Sequence, residues 1–230
     1  TAVTQALSAL PFLWTPQVPV ARDVTGAFRA ALPGVKLFLA DGWIGSGTVF
    51  LWNMALFLSL KESFLNFGGA LAIAACAGAV AGLFLGRHID AGGGVRAVAV
   101  ALFGMMAVVL FRAGSLGHPW LAVGANALAS VSGCLYTPTL MTAVYNQAQG
   151  APCTLRFHVA TEGGWDFGGA GGSLIAAALL WFGVPMSEAL FLPLLGIAAA
   201  FLLLRRYYAE HPAITELVPM DVLETPLSER

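Results

Sequence analysis

The stretch from Gly82 to Arg96 reads GLFLGRHIDAGGGVR and separates two long apolar runs. Each run is long enough to cross a bilayer, for which a helix needs about 20 predominantly apolar residues. Arg87 and Asp90 belong in water or among lipid headgroups, because charges are costly inside the hydrocarbon. The stretch therefore predicts a turn at one face of a membrane, and it decides how the neighbouring helices cross.

The composition is that of a membrane protein. Hydrophobic residues make up 58% of the chain and charged residues 10%, with a mean hydropathy of +0.80, whereas soluble domains contain roughly 25% charged residues. A formal net charge of -1 provides no basic field, so we expect membrane lipid and not nucleic acid as a partner. The 3 cysteines show no paired spacing, and we expect no disulfide framework, metal or other cofactor.

Six apolar segments follow one another after residue 34. The sequence predicts an all-α membrane protein with spans at Lys36–Leu60, Ser63–Gly86, Val95–Arg112, Trp120–Tyr145, Phe157–Phe182 and Pro185–Leu204. Residues 1–34 contain an apolar segment too short to span and then a proline-rich run, and they are predicted to be a linker. Residues 35–207 are predicted to form the six-helix bundle, and residues 208–230 a polar cytoplasmic tail.

The cationic residues are distributed unevenly between the two faces of the predicted bundle. Of the 11 Lys and Arg residues, only Lys61 and Arg112 fall in connections on one face, and the others fall on the face that carries both termini. Cytoplasmic loops carry an excess of Lys and Arg. We therefore expect a multi-pass protein of the cytoplasmic (inner) membrane with both termini in the cytoplasm.

Polar and small residues mark four of the six spans. The first and fourth spans carry polar stripes at helical spacing, which are Asp41, Gly45, Thr48 and Trp52 in the first and Asn126, Ser130, Gly133 and Thr137 in the fourth. Because polar stripes are costly against lipid, we expect both to face a bundle interior or a watery cavity. The second and fifth spans carry small residues at every fourth position, which are Ala74, Gly78, Gly82 and Gly86 in one and Gly164, Gly168 and Gly172 in the other. Such stripes let helix backbones approach closely.

The third and sixth spans have almost no polar side chains between their ends. The order polar, glycine-striped, apolar therefore occurs twice along the chain. A unit of three spans reverses its direction in the membrane when it repeats, so the pattern predicts a 3+3 inverted repeat of the kind found in transporters. A generic six-helix bundle is the alternative.

Three carboxylates lie within the first and fifth predicted spans. Glu162 and Asp166 are four residues apart on one face of the fifth span, and Asp41 lies in the first span. Two carboxylates this close repel each other, which favours protonation of one of them and suits a proton carrier. The alternative is structural pairing, of Glu162 or Asp166 with Arg156 or His158, and of Asp41 with a loop arginine.

Aromatic side chains in the polar spans also have two interpretations. Trp52 and Trp165 could stack on a ligand, but tryptophan is also common between helices and at membrane interfaces. For Tyr136 we favour a structural role, with its hydroxyl hydrogen-bonded across helices.

No catalytic motif is complete. Residues Ile44–Gly47 come near the Gly-x-Ser-Gly of intramembrane serine proteases, but isoleucine replaces the first glycine. The partner histidine of such enzymes lies within a later span, whereas all 4 histidines of this chain fall at or beyond span ends. We therefore expect that the chain is not an enzyme.

The turn at Gly82 to Arg96 resembles the signature loop of the major facilitator superfamily, which joins the second and third helices of each six-helix half. Gly82 corresponds to the opening glycine, Gly86 to a position that is often aspartate, Arg87 to the arginine and Asp90 to the later acid. The ending departs from the family, because glycines follow Asp90 and Arg96 is the only basic residue there. This departure puts in doubt a complete conformational latch formed by Arg87 and Asp90.

The resemblance implies the architecture of half a transporter. In this family the first and fourth helices of each half line the central cavity, the second and fifth form the interface between halves, and the third and sixth lie outside. The chain is then similar to a C-terminal half, with residues 1–14 as the end of a preceding helix. The resemblance implies secondary active transport of a small-molecule substrate by alternating access, driven by an ion gradient, for which we favour protons.

The resemblance also implies roles for the polar residues. Asp41, Asn126, Ser130 and Thr137 would face the substrate cavity, while Glu162 and Asp166 would act at the interface between halves or carry protons. A second six-helix half is required, either as a missing N-terminal half, as a separate chain or as a second copy.

A non-transporting membrane scaffold or assembly factor with the same fold is the alternative function. Exposed glycine stripes on the second and fifth helices would suit both functions. A single water-filled cavity lined by the polar stripes would favour transport, whereas scattered and individually paired polar groups would favour the scaffold.

Overall fold

The computed structural model describes residues 2–15, 20, 24–89 and 94–211, and this part of the chain is all helical. Its elements are α1 (Ala2–Leu7), a 3-10 turn (Leu10–Trp14), α2 (Ala27–Gly45), a π-helical turn (Ser46–Leu51), α3 (Trp52–Ser59), α4 (Phe64–Ile89), α5 (Gly94–Ser115), α6 (Pro119–Gln149), α7 (Thr154–Trp181), α8 (Met186–Ala189) and α9 (Pro193–Glu210). Because α2, the π turn and α3 are consecutive, they form one continuous helix, which we call the first long helix. The prediction of an all-α chain built from six long helices is confirmed.

Four helical segments of the described residues are long and apolar enough to cross a membrane. They are Phe64–Phe84, Val95–Ser115, Pro119–Gln149 and Met186–Glu210. The first long helix and α7 are not among them, and these two helices carry Asp41, Glu162 and Asp166. By length alone α7 could cross a membrane, because its 28 residues extend about 42 Å and the hydrocarbon core is about 30 Å thick. The four segments indicate a membrane protein.

Two helix ends differ from the predicted spans. The first long helix begins at Ala27 and not near Lys36, and it contains Pro33. A proline removes one backbone hydrogen bond, but helices of membrane bundles accommodate it where neighbours pack against them. At the other end, α9 continues to Glu210, and Tyr208 is buried with its hydroxyl donating to the Thr139 carbonyl at 2.8 Å. Tyr208 therefore belongs to the bundle and not to the tail, because its polar end finds a partner inside.

The glycine stripe of α7 lies against the first long helix. A methyl group added at Gly164 would lie 2.5 Å from the carbonyl oxygen of Val35, and one added at Gly168 would overlap the backbone of Leu39. The predicted close approach of two backbones is therefore confirmed for this stripe. The expectation that the stripe is exposed is wrong, because these glycines are buried between the two helices.

The small-residue stripe of α4 contacts a neighbouring helix at fewer positions. A methyl group at Gly78 would lie 3.2 Å from the Cβ of Ser130 on α6, whereas one at Gly82 would meet nothing within 4 Å. Only part of this stripe therefore serves contact within the bundle.

The long helices pair in a regular way. The first long helix packs on α7 and α9, α6 packs on α4 and α5, and α5 packs on α9. The first long helix and α6 touch each other only sparsely. This arrangement leaves a space between the two helices that carry the polar stripes.

We predict that Gly164→Ala lowers the thermal stability of the chain in detergent, whereas Gly163→Ala does not. A Cβ at Gly164 would collide with the Val35 backbone, while one at Gly163 would meet nothing within 4 Å. Overpacking a tight contact costs about 1–3 kcal/mol, and alanine is favoured over glycine in an unhindered helix by about 1 kcal/mol. Thermal unfolding followed by circular dichroism checks this, and equal midpoints for both variants would contradict the packing described.

Candidate functional site

A cavity of about 400 Å³ lies between the first long helix and α6, with α5 behind it and α7 at its side. Pockets that bind small molecules range from about 300 to 1,000 Å³. Its polar lining consists of Asp41, Thr48, Arg112, Asn126, Ser130, Ser132, Tyr136, Thr137 and Trp165, and its apolar lining includes Ile44, Val49, Met105 and Val108. Within the described residues, no three His, Cys, Asp or Glu side chains are grouped as a metal site would require.

Four of the six predicted pathway residues meet in this cavity. Asp41 of the first long helix lines it together with Asn126, Ser130 and Thr137 of α6. The other two, Glu162 and Asp166, are exposed on α7 and do not belong to the lining. The structure thus brings the two polar stripes together and leaves this carboxylate pair on the surface of the bundle.

Asp41 is held at one end of the cavity by aromatic donors. The Tyr136 hydroxyl donates to Oδ1 of Asp41 at 2.8 Å, which confirms the predicted bond across helices. The Trp165 side chain also hydrogen-bonds to Asp41, and Glu162 is near enough for the two carboxylates to repel. Among the described residues, the hydrogen-bond partners of Asp41 are therefore neutral donors and not a loop arginine.

Arg112 occupies another part of the cavity lining, and the sequence analysis missed it. It was expected in a connection at the far face, but α5 continues past it to Ser115, and the side chain is only 5% exposed. Its Nη1 donates to the Thr48 carbonyl at 2.7 Å, and its guanidinium carbon lies 4.6 Å from the centroid of the Trp52 ring. The uninterrupted sequence from Arg112 to Ser115, with no proline before Pro119, was the available signal that the helix continues.

The π turn of the first long helix presents the carbonyl that binds Arg112. In an α-helix the Trp52 N–H would donate to Thr48, but in this turn it donates to Gly47 and Val49. The Thr48 carbonyl accepts the Arg112 guanidinium. π turns within α-helices are frequent at functional sites, and this one fixes the position of a buried cation.

Asn126 connects three helices beside the cavity. Its Oδ1 accepts the indole N–H of Trp52 at 2.9 Å, and its Nδ2 donates to the Ala70 carbonyl of α4 at 3.4 Å. Trp52 is completely buried and does not line the cavity. Its contacts favour the structural interpretation, whereas Trp165 lines the cavity and stays available to a ligand.

The loop motif is described only in part. Gly82 lies within α4 and Arg96 is exposed on α5. Gly86 and Arg87 fall within α4, but the side chain of Arg87 and the whole of Asp90 lie outside the described residues.

Comparison with protein-family models, with curated proteins and with solved structures finds no match to this chain. The resemblance to the major facilitator superfamily is therefore argued from the residues and the helix order of the chain itself.

We predict that Trp52→Phe destabilises the folded chain, because it removes the N–H that satisfies the buried Oδ1 of Asn126. Leaving a buried acceptor unsatisfied costs about 1–3 kcal/mol. Trp120→Phe is the matched control, since Trp120 also lies on the bundle but is 86% exposed. Thermal unfolding in detergent compares the two, and a Trp52→Phe midpoint equal to that of Trp120→Phe would show that the bond to Asn126 contributes nothing.

Proposed function

We propose that this chain is one six-helix half of a secondary active transporter of the major facilitator type. It would move a small solute across the inner membrane by alternating access, coupled to protons, with both termini in the cytoplasm. The observation that carries the proposal is that the polar stripes of two helices, distant in sequence, line one cavity. The hydrogen bond between Tyr136 and Asp41, which are 95 positions apart in sequence, joins these two helices. Polar groups inside a membrane are costly and mark substrate or ion pathways.

The helix pairing supports a 3+3 inverted repeat. In such a repeat the first unit is the first long helix, α4 and α5, and the second unit is α6, α7 and α9. Exchanging the two units, helix for helix in this order, should then leave the set of packed helix pairs unchanged. The pairing of the first long helix with α7 then becomes that of α6 with α4, and the pairing of α5 with α6 becomes that of α9 with the first long helix. Transporters of this kind place their sites at the interface between such repeats.

Asp41 is the residue that we assign to proton coupling. Among the residues that the structure describes, it is the only carboxylate in the cavity lining, and it has an acidic neighbour in Glu162. A carboxylate within the membrane is least costly when it is protonated or hydrated, so a proton arriving through the cavity would stabilise it. Glu162 and Asp166 are exposed on α7, which suits contact with a second half. That half is an N-terminal segment, a separate chain or a second copy.

The scaffold alternative is favoured by one observation. The Trp52 indole and Asn126 satisfy each other inside the bundle, as expected for polar groups whose role is structural. The cavity lining weakens this alternative, since Ser130 and Thr137 line a cavity and are not fully buried between helices.

Cysteine labelling separates the two functions. In a chain whose native cysteines at 76, 134 and 153 are replaced by serine, we expect Ser130→Cys to react in vesicles with a water-soluble, membrane-impermeant thiol reagent. Leu128→Cys is the control, because Leu128 is an exposed apolar residue of the same helix that does not line the cavity. Protection of Ser130→Cys to the level of Leu128→Cys would favour the scaffold.

Proton flux tests transport itself. With a second copy as the other half, we expect the purified chain in liposomes to move protons down an imposed pH gradient, as followed by an internal pH-sensitive dye, and Asp41→Asn to abolish this flux because the amide carries no titratable proton. Glu188→Gln is the matched control, since Glu188 is an exposed carboxylate of α8 outside the cavity. Flux in the wild type no faster than in protein-free liposomes would overturn the proposal that copies of this chain alone assemble a transporter.

A further inference from the structure

We propose that the Arg112 end of the cavity binds the carboxylate group of a small, singly charged organic anion. If this anion is the transported substrate, that part of the inference rests on the transport function proposed above. The binding site itself is argued from the geometry around Arg112.

The donors of Arg112 are only partly used by the protein. Nη1 donates to the Thr48 carbonyl, whereas Nε is buried and has no hydrogen-bond partner. Guanidinium groups bind carboxylates through two parallel N–H donors on one edge. The edge formed by Nε and Nη2 retains this capacity, because the described residues supply Nε with no acceptor.

The charge of Arg112 also lacks a counter-charge. Among the described residues no acidic group acts on it, and its side chain is only 5% exposed. A buried charge without a partner is strongly unfavourable, whereas a charge that is paired and hydrogen-bonded is tolerated. The Trp52 ring below the guanidinium offsets part of this cost, and an anion bound from the cavity would offset more.

Asp41 cannot be that counter-charge. Seven residues of helix separate Asp41 from Thr48, the residue that binds Arg112, which corresponds to about 10 Å along the helix axis. Asp41 is already hydrogen-bonded to Tyr136. The cavity therefore holds its acidic and its basic group apart, and the basic group is the one with a free donor.

The rest of the lining limits the kind of anion. Val108, four residues before Arg112 on α5, and Val49, next to Thr48, line the cavity, and they suit an apolar body and not a fully hydrated inorganic ion. One guanidinium balances one negative charge, and Asp41 with its neighbour Glu162 disfavours a second. A monocarboxylate with a small apolar body matches both conditions within about 400 Å³.

Benzoate and benzamide are suitable probes, because they share size and shape and differ in charge. Isothermal titration of each into the purified chain in detergent would measure binding. We expect benzoate to bind and benzamide not to bind under the same conditions. Inorganic phosphate and chloride, used as competitors, test whether the site requires an organic carboxylate.

Variants identify the cation that binds the probe. We expect Arg112→Gln to weaken benzoate binding at least about tenfold, because a buried charge-assisted contact is lost. Arg112→Lys keeps the charge but lacks the planar pair of donors, and we expect its affinity to lie between those of the wild type and Arg112→Gln. Lys61→Gln is the matched control, since Lys61 is an exposed cation in the turn after α3 and outside this cavity; it should bind benzoate as the wild type does.

The outcomes separate this inference from the transport function. Equal binding of benzoate and benzamide, no benzoate binding to the wild type, or unchanged affinity in a helical and monodisperse Arg112→Gln variant would each overturn the site. Displacement of benzoate by phosphate or chloride at equal concentration would overturn the assignment to organic carboxylates. Benzoate binding without proton flux in liposomes would support the anion site and overturn transport by copies of this chain alone.

Discussion

The rest of the structure depends on the close packing of the first long helix against α7. Gly164 and Gly168 of α7 leave no room for a Cβ against the Val35 and Leu39 backbone, and Gly42 is equally close to the backbone of Trp165. Lipid supplies no hydrophobic drive between helices, so packing of this kind holds them together. Because one face of the first long helix is fixed against α7, the face that carries Asp41 and Thr48 is turned toward α6.

Polar groups on that face have specific hydrogen-bond partners on neighbouring helices. Tyr136 bonds Asp41 and Trp52 bonds Asn126, so two hydrogen bonds join the first long helix to α6. The π turn adds a third connection by presenting the Thr48 carbonyl to Arg112 of α5. Buried polar groups are expensive when unpaired and stabilising when paired, and these bonds explain how two polar helices can flank a cavity without collapsing onto it.

Helical spacing sufficed to predict six helices, the two polar stripes and the glycine contact of α7, because each depends on residues within a few turns of one another. Helical spacing could not predict that Arg112 is buried in the cavity lining. Its position depends on where α5 ends and on the Thr48 carbonyl, which a π turn makes accessible on another helix. The same limit applies to Glu162 and Asp166. Their spacing places them on one face of α7. The glycines of α7 pack against the first long helix, and the two carboxylates are exposed on the surface of the bundle.

The separation of Asp41 from Arg112 has a consequence for coupling. If the two groups were paired with each other, each charge would already have its counter-charge within the protein. Held apart, each group would be stabilised by a ligand of its own under the functions proposed here, a proton for the carboxylate and an anion for the guanidinium. A ligand shifts a conformational equilibrium only by its difference in affinity between the two states. A closed cavity with little water strengthens both interactions, so a proton and an anion bound together would favour closure more than either alone.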